Sequence, residues 1–585
     1  MGYEREELEV FNIFVQHSRG GEWDYFDDSS GNDPACAALT AQERFDDVLG
    51  LGCELSGIDK FVLGRPDRVY YGSGGGTNDP NDAAANFTNV KHSLYVQDEI
   101  YFPTSDFTLV AGLRFDWMRS DDSPNYNENL SNALGVRNDK GLDGLSVLMP
   151  RVGFNWGISD DLTLRGGVGL FSGGNPNVWV SNAWSNDGVT NVQVRGDYFG
   201  SVQVLDPNAA DFLPLIPGTP GGQIPQELFD EVAATTPQNG SIFFTNLIDP
   251  DYEQPREWKL ALGGTWEMPW GGIQADFDYM YTELKKGAIY RDVSQEVVGQ
   301  TILGNPIYGA IPGTGERNLM LTNTNRTSRA HVISTVFQKS WDWGLDALLG
   351  YAWTDATDVS PMTSFTASSS YDNLATNDIN FPGPGPSNYV VRNRVTLRLS
   401  YANELFGDNL TRFTLMGYYN EGQPNTYTVD STDVLQVDRS RRHLLYIPDG
   451  PDDPNVVYDA NFPVTEFLDW ARKRDLKGGQ FVARNSIDSH SSSRVDLRID
   501  QEIPLGMPEL KARAFVKIYN FTNLLNDDWG WQYDSSFFSR DVVDVSGLTP
   551  TGQYIYEDFS PQQISDLQTF RSLWEIRLGL DIRFN

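Results

Sequence analysis

Long hydrophobic runs are missing from this chain of 585 residues. No stretch approaches the roughly 18 consecutive apolar residues that a membrane-spanning helix needs, and the mean hydropathy is −0.41. The sequence therefore excludes a helical membrane protein. A membrane protein built from strands stays open, because half of each spanning strand is polar.

Histidine is scarce, and no enzyme motif is present. The five histidines stand singly, at His17, His92, His331, His443 and His490. No HExxH or other metal-binding spacing occurs, and no GxSxG elbow occurs. The sequence therefore predicts neither enzyme activity nor a bound cofactor or metal. Paired carboxylates are too abundant to identify a site, so a secreted all-β glycan-binding protein or hydrolase remains an alternative.

Basic residues are few: 44 Lys and Arg stand against 80 Asp and Glu, for a formal net charge of −36. Nucleic acid is excluded as a partner, because its binding depends on Lys and Arg at the phosphates. Much of the acid lies in polar stretches, as at Asp27 and Asp28, Asp79 to Asp82, and Asp449 to Asp453. Solubility explains such charges. Cation bridges to lipopolysaccharide are a second hypothesis, although no run has the spacing of a 12-residue calcium loop.

The chain ends in a strand with one apolar and one polar face. From Trp574 to Phe584 the sequence WEIRLGLDIRF alternates without interruption. A strand of a soluble sandwich shows the same alternation. The last strand of an outer-membrane β-barrel needs it too, because one face touches lipid and the other a watery lumen.

The pattern recurs along the chain, and the connections alternate between short and long. Further examples are 107–117, 273–281, 345–353 and 494–500. Short joints lie at 103–105, 159–160, 269–272, 342–344, 403–409 and 504–508, and long polar stretches at 17–90, 119–147, 172–255, 283–329, 355–389, 421–493 and 520–572. Tight periplasmic turns and long external loops are typical of a membrane barrel. We predict that the long stretches are structureless external loops.

One upward and one downward strand per long loop gives roughly 14 strands, an even number as bacterial barrels require. The fold class predicted is thus all-β, an antiparallel transmembrane β-barrel in the cell outer membrane. Aromatic residues near strand ends are predicted to lie at the membrane interface. They are Trp156, Trp258, Trp266, Trp270, Trp341, Trp343, Trp574 and Phe584. The alternative for each tryptophan is burial in a core.

Both cysteines, Cys36 and Cys53, lie in the first long loop. We predict a disulfide between them, since the periplasm is oxidising, with free thiols as the alternative. The segment Met1 to Asn12 has no basic start, apolar core or cleavage site, so it is not a secretory signal. We therefore expect residues 1–585 to be the downstream part of a longer protein.

Several segments resemble TonB-dependent receptors of Gram-negative bacteria. Tyr95 to Ile100 (YVQDEI) and Leu109 to Asp116 (LVAGLRFD) are similar to paired strands of that family. Other blocks resemble, more narrowly, the Oar-like group, which has a carboxypeptidase-regulatory-like N-terminal domain. These blocks are MPRVGFNWG (149–157), LRGGVGLFSGGNPN (164–177), NFTNLLNDDWG (520–530) and RLGLDIRF (577–584).

The resemblance implies a 22-stranded barrel, plugged by an N-terminal domain, that moves a ligand with energy from a TonB–ExbB–ExbD complex. The plug, the TonB box, the regulatory-like domain and about eight strands have no counterpart here. The family usually ends on its aromatic, the signal for the barrel assembly machinery, whereas Asn585 follows Phe584. The chain is thus expected to be the C-terminal barrel portion, coupled to TonB only through absent parts.

Ligand contact is predicted in the two longest loops, 172–255 and 421–493. The candidate aromatics are Trp179, Trp184, Tyr198, Tyr427 and Tyr446. The alternative is that these side chains pack the loops together. The function expected is TonB-coupled uptake, or export, of an unidentified ligand across the outer membrane. A stand-alone passive porin of about 14 strands is a further alternative.

Overall fold

The fold is described here by a computed structural model over residues 1–12, 22–173, 177–204, 224–431, 442–505, 510–535 and 539–584. One large antiparallel sheet dominates it, and fourteen of its strands form a continuous path. The strands are β1 (Gly2–Asn12), β2 (Ala85–Phe102), β3 (Phe107–Arg119), β4 (Ser146–Ser159), β5 (Leu162–Phe171), β6 (Arg256–Met268), β7 (Ile273–Lys285), β8 (Ser328–Ser340), β9 (Leu345–Asp358), β10 (Asn393–Phe406), β11 (Asn409–Asn420), β12 (Ser492–Ile503), β13 (Leu510–Tyr519) and β14 (Glu575–Phe584). The predicted all-β class and strand number are confirmed.

Each strand pairs with the strands before and after it in sequence. Phe277 of β7, for example, lies between Gly264 of β6 and Thr335 of β8. The first strand, β1, pairs only with Ala85 to Tyr95, the outer half of β2. Over the residues that the structure describes, no backbone pairing joins β14 to β1.

Short turns join the strands at one end of the sheet, as the sequence predicts at five joints; the predicted joint at 504–508 lies partly outside the described residues. These turns leave 103–106, 160–161, 269–272, 341–344 and 407–408 outside the strands. Four of them contain a left-handed backbone, as at Asp106 (φ 42°) and Gly344 (φ 96°), a conformation that glycine adopts freely and aspartate adopts more readily than most residues. One joint is shorter than the predicted 403–409, because pairing continues past a bulge between Glu404 and Phe406.

The apolar face of the sheet is exposed. In β14, Ile576, Leu578 and Leu580 are 45, 76 and 56% exposed, and Leu262 in β6 and Leu349 in β9 lie on the same side of the sheet, fixed by the registers that link these strands. A sandwich would bury such a face against a second sheet. Its exposure here is that of a lipid-facing surface.

The opposite face is polar and carries ion pairs between strands. Arg513 of β13 lies 3.2 Å from Asp581 of β14, and Arg165 of β5 lies 2.8 Å from Asp278 of β7. Such charges suit the watery lumen of a barrel.

Seven long connections join the strands at the other end, and we call their described residues the loop layer. Its α-helices are Ala41–Phe45, Gly57–Leu63, Glu128–Leu134, Asn177–Ser185, Gln226–Ala233, Ala367–Asp372, Val464–Lys473, Phe521–Leu525 and Thr569–Ser572, and its 3-10 turns are Ser29–Gly31, Pro34–Ala38 and Pro80–Ala83. Within the described chain, none of the helices has the length and hydropathy to cross a membrane.

The loop layer also contains short strands. They are Glu22–Asp24, Arg68–Gly74, Asn191–Asp197, Asn246–Ile248, Ala288–Asp292, Gln295–Gln300, Pro306–Ala310, Leu319–Asn323, Gly385–Pro386, Pro424–Asn425, Tyr427–Asp430, Tyr446–Ile447, Val456–Tyr458, Gln480–Phe481, Ile487–Asp488, Tyr533–Ser535, Arg540–Leu548, Tyr554–Phe559 and Ser565–Leu567. Eight of these nineteen strands pair with a strand of another connection, as Tyr427–Asp430 does with Arg540–Leu548.

Three hydrophobic cores lie in the loop layer. One joins Phe87 to Trp184 and Leu321, a second surrounds Phe467 and Tyr556, and a smaller third contains Val69. The prediction that these stretches are structureless is wrong. The reason is that their scattered apolar residues come from different loops and bury one another, which the local sequence does not reveal.

Candidate functional site

Two connections of the loop layer and the end of β9 meet around one buried arginine. The Arg484 guanidinium donates to the carbonyl oxygens of Val359 and Gly385, each at 3.1 Å, and to the Asp358 side chain at 3.1 Å. Burial lowers the pKa of Arg484, and the Asp358 carboxylate counteracts that shift. Arg484 is almost fully buried, and its ion pair with Asp358 balances its charge inside the protein.

A cavity of about 140 Å³ lies beside this junction, and we call it the polar cavity. Its lining residues come from three connections: Thr363, Asn373, Ala375, Asn388, Tyr389, Gln423, Pro424, Asn425, Thr426, Arg484, Asn485, Ser535 and Ser539. Amides and hydroxyls make up most of this set. Among the described residues that line it, none is acidic, although the chain as a whole carries a net charge of −36.

Hydrogen bonds fix several of the lining side chains. The Asn485 amide nitrogen donates to the Pro386 carbonyl at 2.7 Å and to Asn388 Oδ1 at 2.6 Å. The Ser535 hydroxyl donates to Gln423 Oε1 at 2.7 Å. Asn485 has a left-handed backbone (φ 54°), which asparagine adopts more readily than most residues. The polar wall is therefore held in place before any ligand arrives.

Tyr389 belongs to two walls at once. Its side chain lines the polar cavity and also a recess of about 330 Å³ bounded by Ala352, Thr354 and Arg394, which we call the luminal recess. These three residues lie on the polar face of β9 and β10, opposite the exposed Leu349 face. Tyr389 is 56% exposed. It thus stands between the loop layer and the lumen.

Three of the five predicted loop aromatics are core residues. Trp184 stacks on Phe87 with ring centroids 4.1 Å apart, and Tyr427 and Tyr446 lie within the second core. Trp179 is partly buried and donates from Nε1 to the Ser364 carbonyl at 3.0 Å. Tyr198 packs at the edge of the third core and donates its hydroxyl to Glu227. The structure does not bring these residues into the polar cavity.

The sequence does not predict which residues line the polar cavity, although six of them lie in the predicted contact loop 421–493. Asn, Gln, Ser and Thr are ordinary in loops, so their meeting depends on the fold. Tyr389 lies just before β10, outside the two longest loops in which ligand contact is predicted.

A protein family model matches most of this chain. A family model described as "Outer membrane beta barrel domain" matches residues 1–525. The chain belongs to this outer-membrane β-barrel family. Its place is accordingly the cell outer membrane. No curated protein matches it at a significant level.

Solved structures similar to this barrel are outer-membrane transporters and receptors. The outer membrane transporter YddB from Escherichia coli is 12% identical, with a TM-score of 0.41 over 88% of this chain and 50% of that one. The FrpB iron transporter from Neisseria meningitidis is 11% identical (TM-score 0.39; 85% and 46%), as is BauA, the ferric preacinetobactin receptor from Acinetobacter baumannii (0.37; 85% and 43%). The chain spans about half the length of these proteins.

The aromatic residues predicted for the interface lie at two levels of the barrel. Trp258 and Trp266 share one face of β6, eight residues apart, which is about 26 Å along a strand. At the level of the short turns lie Trp156, Trp266, Trp270, Trp341 and Trp343, and at the level of the long loops lie Trp258 and Trp574. Phe584 pairs with Leu510 through its backbone, and its side chain lies outside the described atoms.

Cys36 and Cys53 are bonded to each other in the first connection, with Cα atoms 5.9 Å apart. For the residues that the structure describes, no group of three or more His, Cys, Asp or Glu is placed to hold a metal ion. The cation bridges at Asp27, Asp28 and the other acidic stretches stay a hypothesis.

Proposed function

We propose that the chain is the barrel wall of an outer-membrane receptor that takes up a ligand with energy from a TonB–ExbB–ExbD complex. One observation carries the proposal: the polar cavity of the loop layer and the luminal recess share Tyr389 as a common wall. A ligand captured outside is then one side chain away from the lumen. A general pore would not need a folded layer with its own cores above its mouth.

The Oar-like resemblance supports the same proposal. In that group the plug and the TonB contact belong to an N-terminal part, so the chain acts as the C-terminal barrel portion of a larger receptor. Outer-membrane lipid and lipopolysaccharide surround the exposed face, and the barrel assembly machinery inserts it. The protein moves its ligand unchanged and is not an enzyme.

Substrate depletion tests this function without knowledge of the ligand. Cells with and without the gene receive a defined mixture of neutral oligosaccharides, ferric siderophores and peptides, and mass spectrometry follows each compound in the medium. We expect at least one compound to disappear only when the gene and tonB are both present. Depletion that persists without tonB would identify a passive porin, and conversion of a compound in the medium would identify a secreted hydrolase. Either result, or the absence of depletion, contradicts the proposal.

A further inference from the structure

The polar cavity has a lining that matches one class of ligand. Amide and hydroxyl groups each offer both donors and acceptors. Sugar hydroxyls also donate and accept, so a wall of Asn, Gln, Ser and Thr can satisfy them in many arrangements. Small-molecule sites for apolar ligands are instead lined mainly by hydrophobic and aromatic side chains.

The charges of the cavity lining also favour a neutral ligand. The one cation of the lining, Arg484, already donates to Asp358, Val359 and Gly385. The ion pair with Asp358 balances the charge of Arg484, and its buried Nε, which has no hydrogen-bond partner among the described residues, can donate to a neutral acceptor as well. An anionic ligand would therefore meet no net positive charge there, and the net charge of −36 would repel it from the surface. A cationic ligand would find no carboxylate among the described lining residues. The cavity is suited to a neutral molecule.

Size limits the ligand further. One water molecule needs about 10–15 Å³ of cavity volume. The polar cavity of about 140 Å³ therefore has room for roughly ten waters. That is the scale of a single sugar ring. The half-exposed ring of Tyr389 at the border of the cavity offers a flat apolar face, against which the C–H face of a pyranose can stack.

We infer that the polar cavity binds one ring of a neutral, hydroxyl-rich saccharide, stacked on Tyr389. The inference rests on the proposed function, because it names the ligand class of the same receptor. From this position the saccharide can pass Tyr389 and enter the luminal recess, whose walls include Thr354 and Arg394. A free sugar and the end residue of a glycan chain present the same chemistry to the cavity.

Saturation-transfer NMR on the purified chain tests the inference. The protein is held in a detergent without a sugar headgroup, so that no detergent molecule competes. The neutral probes are methyl α-glucopyranoside, methyl α-mannopyranoside and N-acetylglucosamine, each also as a short oligosaccharide; the charged probes are glucuronate and glucosamine. We expect saturable binding of at least one neutral probe and at least tenfold weaker binding of the charged ones. Tighter binding of the oligosaccharide would identify a glycan end, and equal binding a free sugar.

Four variants locate the binding. Ala375→Phe fills the cavity, Asn373→Leu removes an amide at nearly constant size, and Tyr389→Ala removes the stacking ring. Each is expected to weaken binding at least tenfold. Phe365→Ala is the matched control, because Phe365 is exposed in the same connection but does not line the cavity. Unchanged heat-modifiable migration on gels verifies that each variant folds. Because there are three cavity variants, the test remains valid if one of them does not fold.

No saturable binding of the neutral probes, equal binding of the charged probes, or an unchanged Kd in folded cavity variants would overturn the inference. Binding by the purified chain needs neither TonB nor a membrane potential. If the purified chain binds a sugar but cells with the gene and tonB deplete no compound from the medium, the proposed transport is contradicted and the inferred ligand class stands. If cells deplete a siderophore or peptide but the purified chain binds no sugar, the proposed transport stands and the inferred ligand class is contradicted.

Discussion

Among single residues, His443 gives the loop layer a defined response to acid. It is buried in the second core, with Nε2 3.1 Å from the Tyr554 hydroxyl. Burial lowers the pKa of His443 from 6.5 to about 3. Because the unfolded segment takes up a proton below about pH 6.5 and the folded one does not, this core is most stable above pH 6.5 and weakens as the pH falls toward 3. We expect a loss of about 2 kcal/mol between pH 7 and pH 5.

Hydrogen exchange of peptides covering 442–447 and 554–559 measures this loss. His443→Gln retains a hydrogen-bonding side chain without the titration, so its exchange should not depend on pH in this way once intrinsic rates are corrected. Asp187 provides an internal contrast, since burial raises its pKa to about 6 and its segment should gain stability as the pH falls from 6 toward 4. The same acid response in wild type and His443→Gln would contradict the assignment.

The roles of individual residues are the hardest feature of this protein to predict from its sequence. A tryptophan within a long loop, such as Trp184, can face solvent, lipid or a core, and the outcome depends on its stacking against Phe87 of β2. The polar cavity is harder still, because Asn373, Asn485 and Ser535 come from separate connections. No local pattern links them.

At the scale of elements, the two faces of one strand should respond oppositely to charge. Leu262 and Ala261 are neighbours in β6; Leu262 lies on the exposed apolar face and Ala261 on the polar face. We expect Leu262→Arg to lower stability by about 2–4 kcal/mol, the penalty for a cation in the middle of a lipid-facing strand.

Urea titration of the folded protein in lipid vesicles, followed by heat-modifiable migration, measures this penalty. Ala261→Arg is the matched control, since it adds the same side chain toward the lumen and should change stability by less than about 1 kcal/mol. Equal losses in the two variants would mean that the face of Leu262 is not in lipid.

Strands were predictable and loop elements were not. Alternation in segments such as Phe107 to Trp117 reports directly on two faces, so the spanning strands appear where the sequence places them. The small strands of the loop layer are two to nine residues long, and several pair with partners in another connection, as Tyr427 does with Arg540. Their apolar residues face one another across loops, which a short window cannot register.

At the scale of the whole molecule, the protein has two parts with opposite construction. The sheet exposes its apolar face and keeps its charges on the other face, as Leu578 and Asp581 illustrate in one strand. The loop layer buries its apolar residues as a water-soluble domain does. The two patterns together place the sheet in lipid and the loop layer in water, and the alternation of short and long connections puts all of that layer on one side.

Accessibility of engineered cysteines in intact cells tests this placement most directly. Phe570 is 92% exposed in the last long connection and Trp343 is 56% exposed in a short turn, and Cys36 and Cys53 are already bonded. With a membrane-impermeant maleimide, we expect Phe570→Cys to be labelled in intact cells and Trp343→Cys only after the outer membrane is permeabilised. Labelling of Trp343→Cys in intact cells, with Phe570→Cys protected, would reverse the orientation and contradict the account.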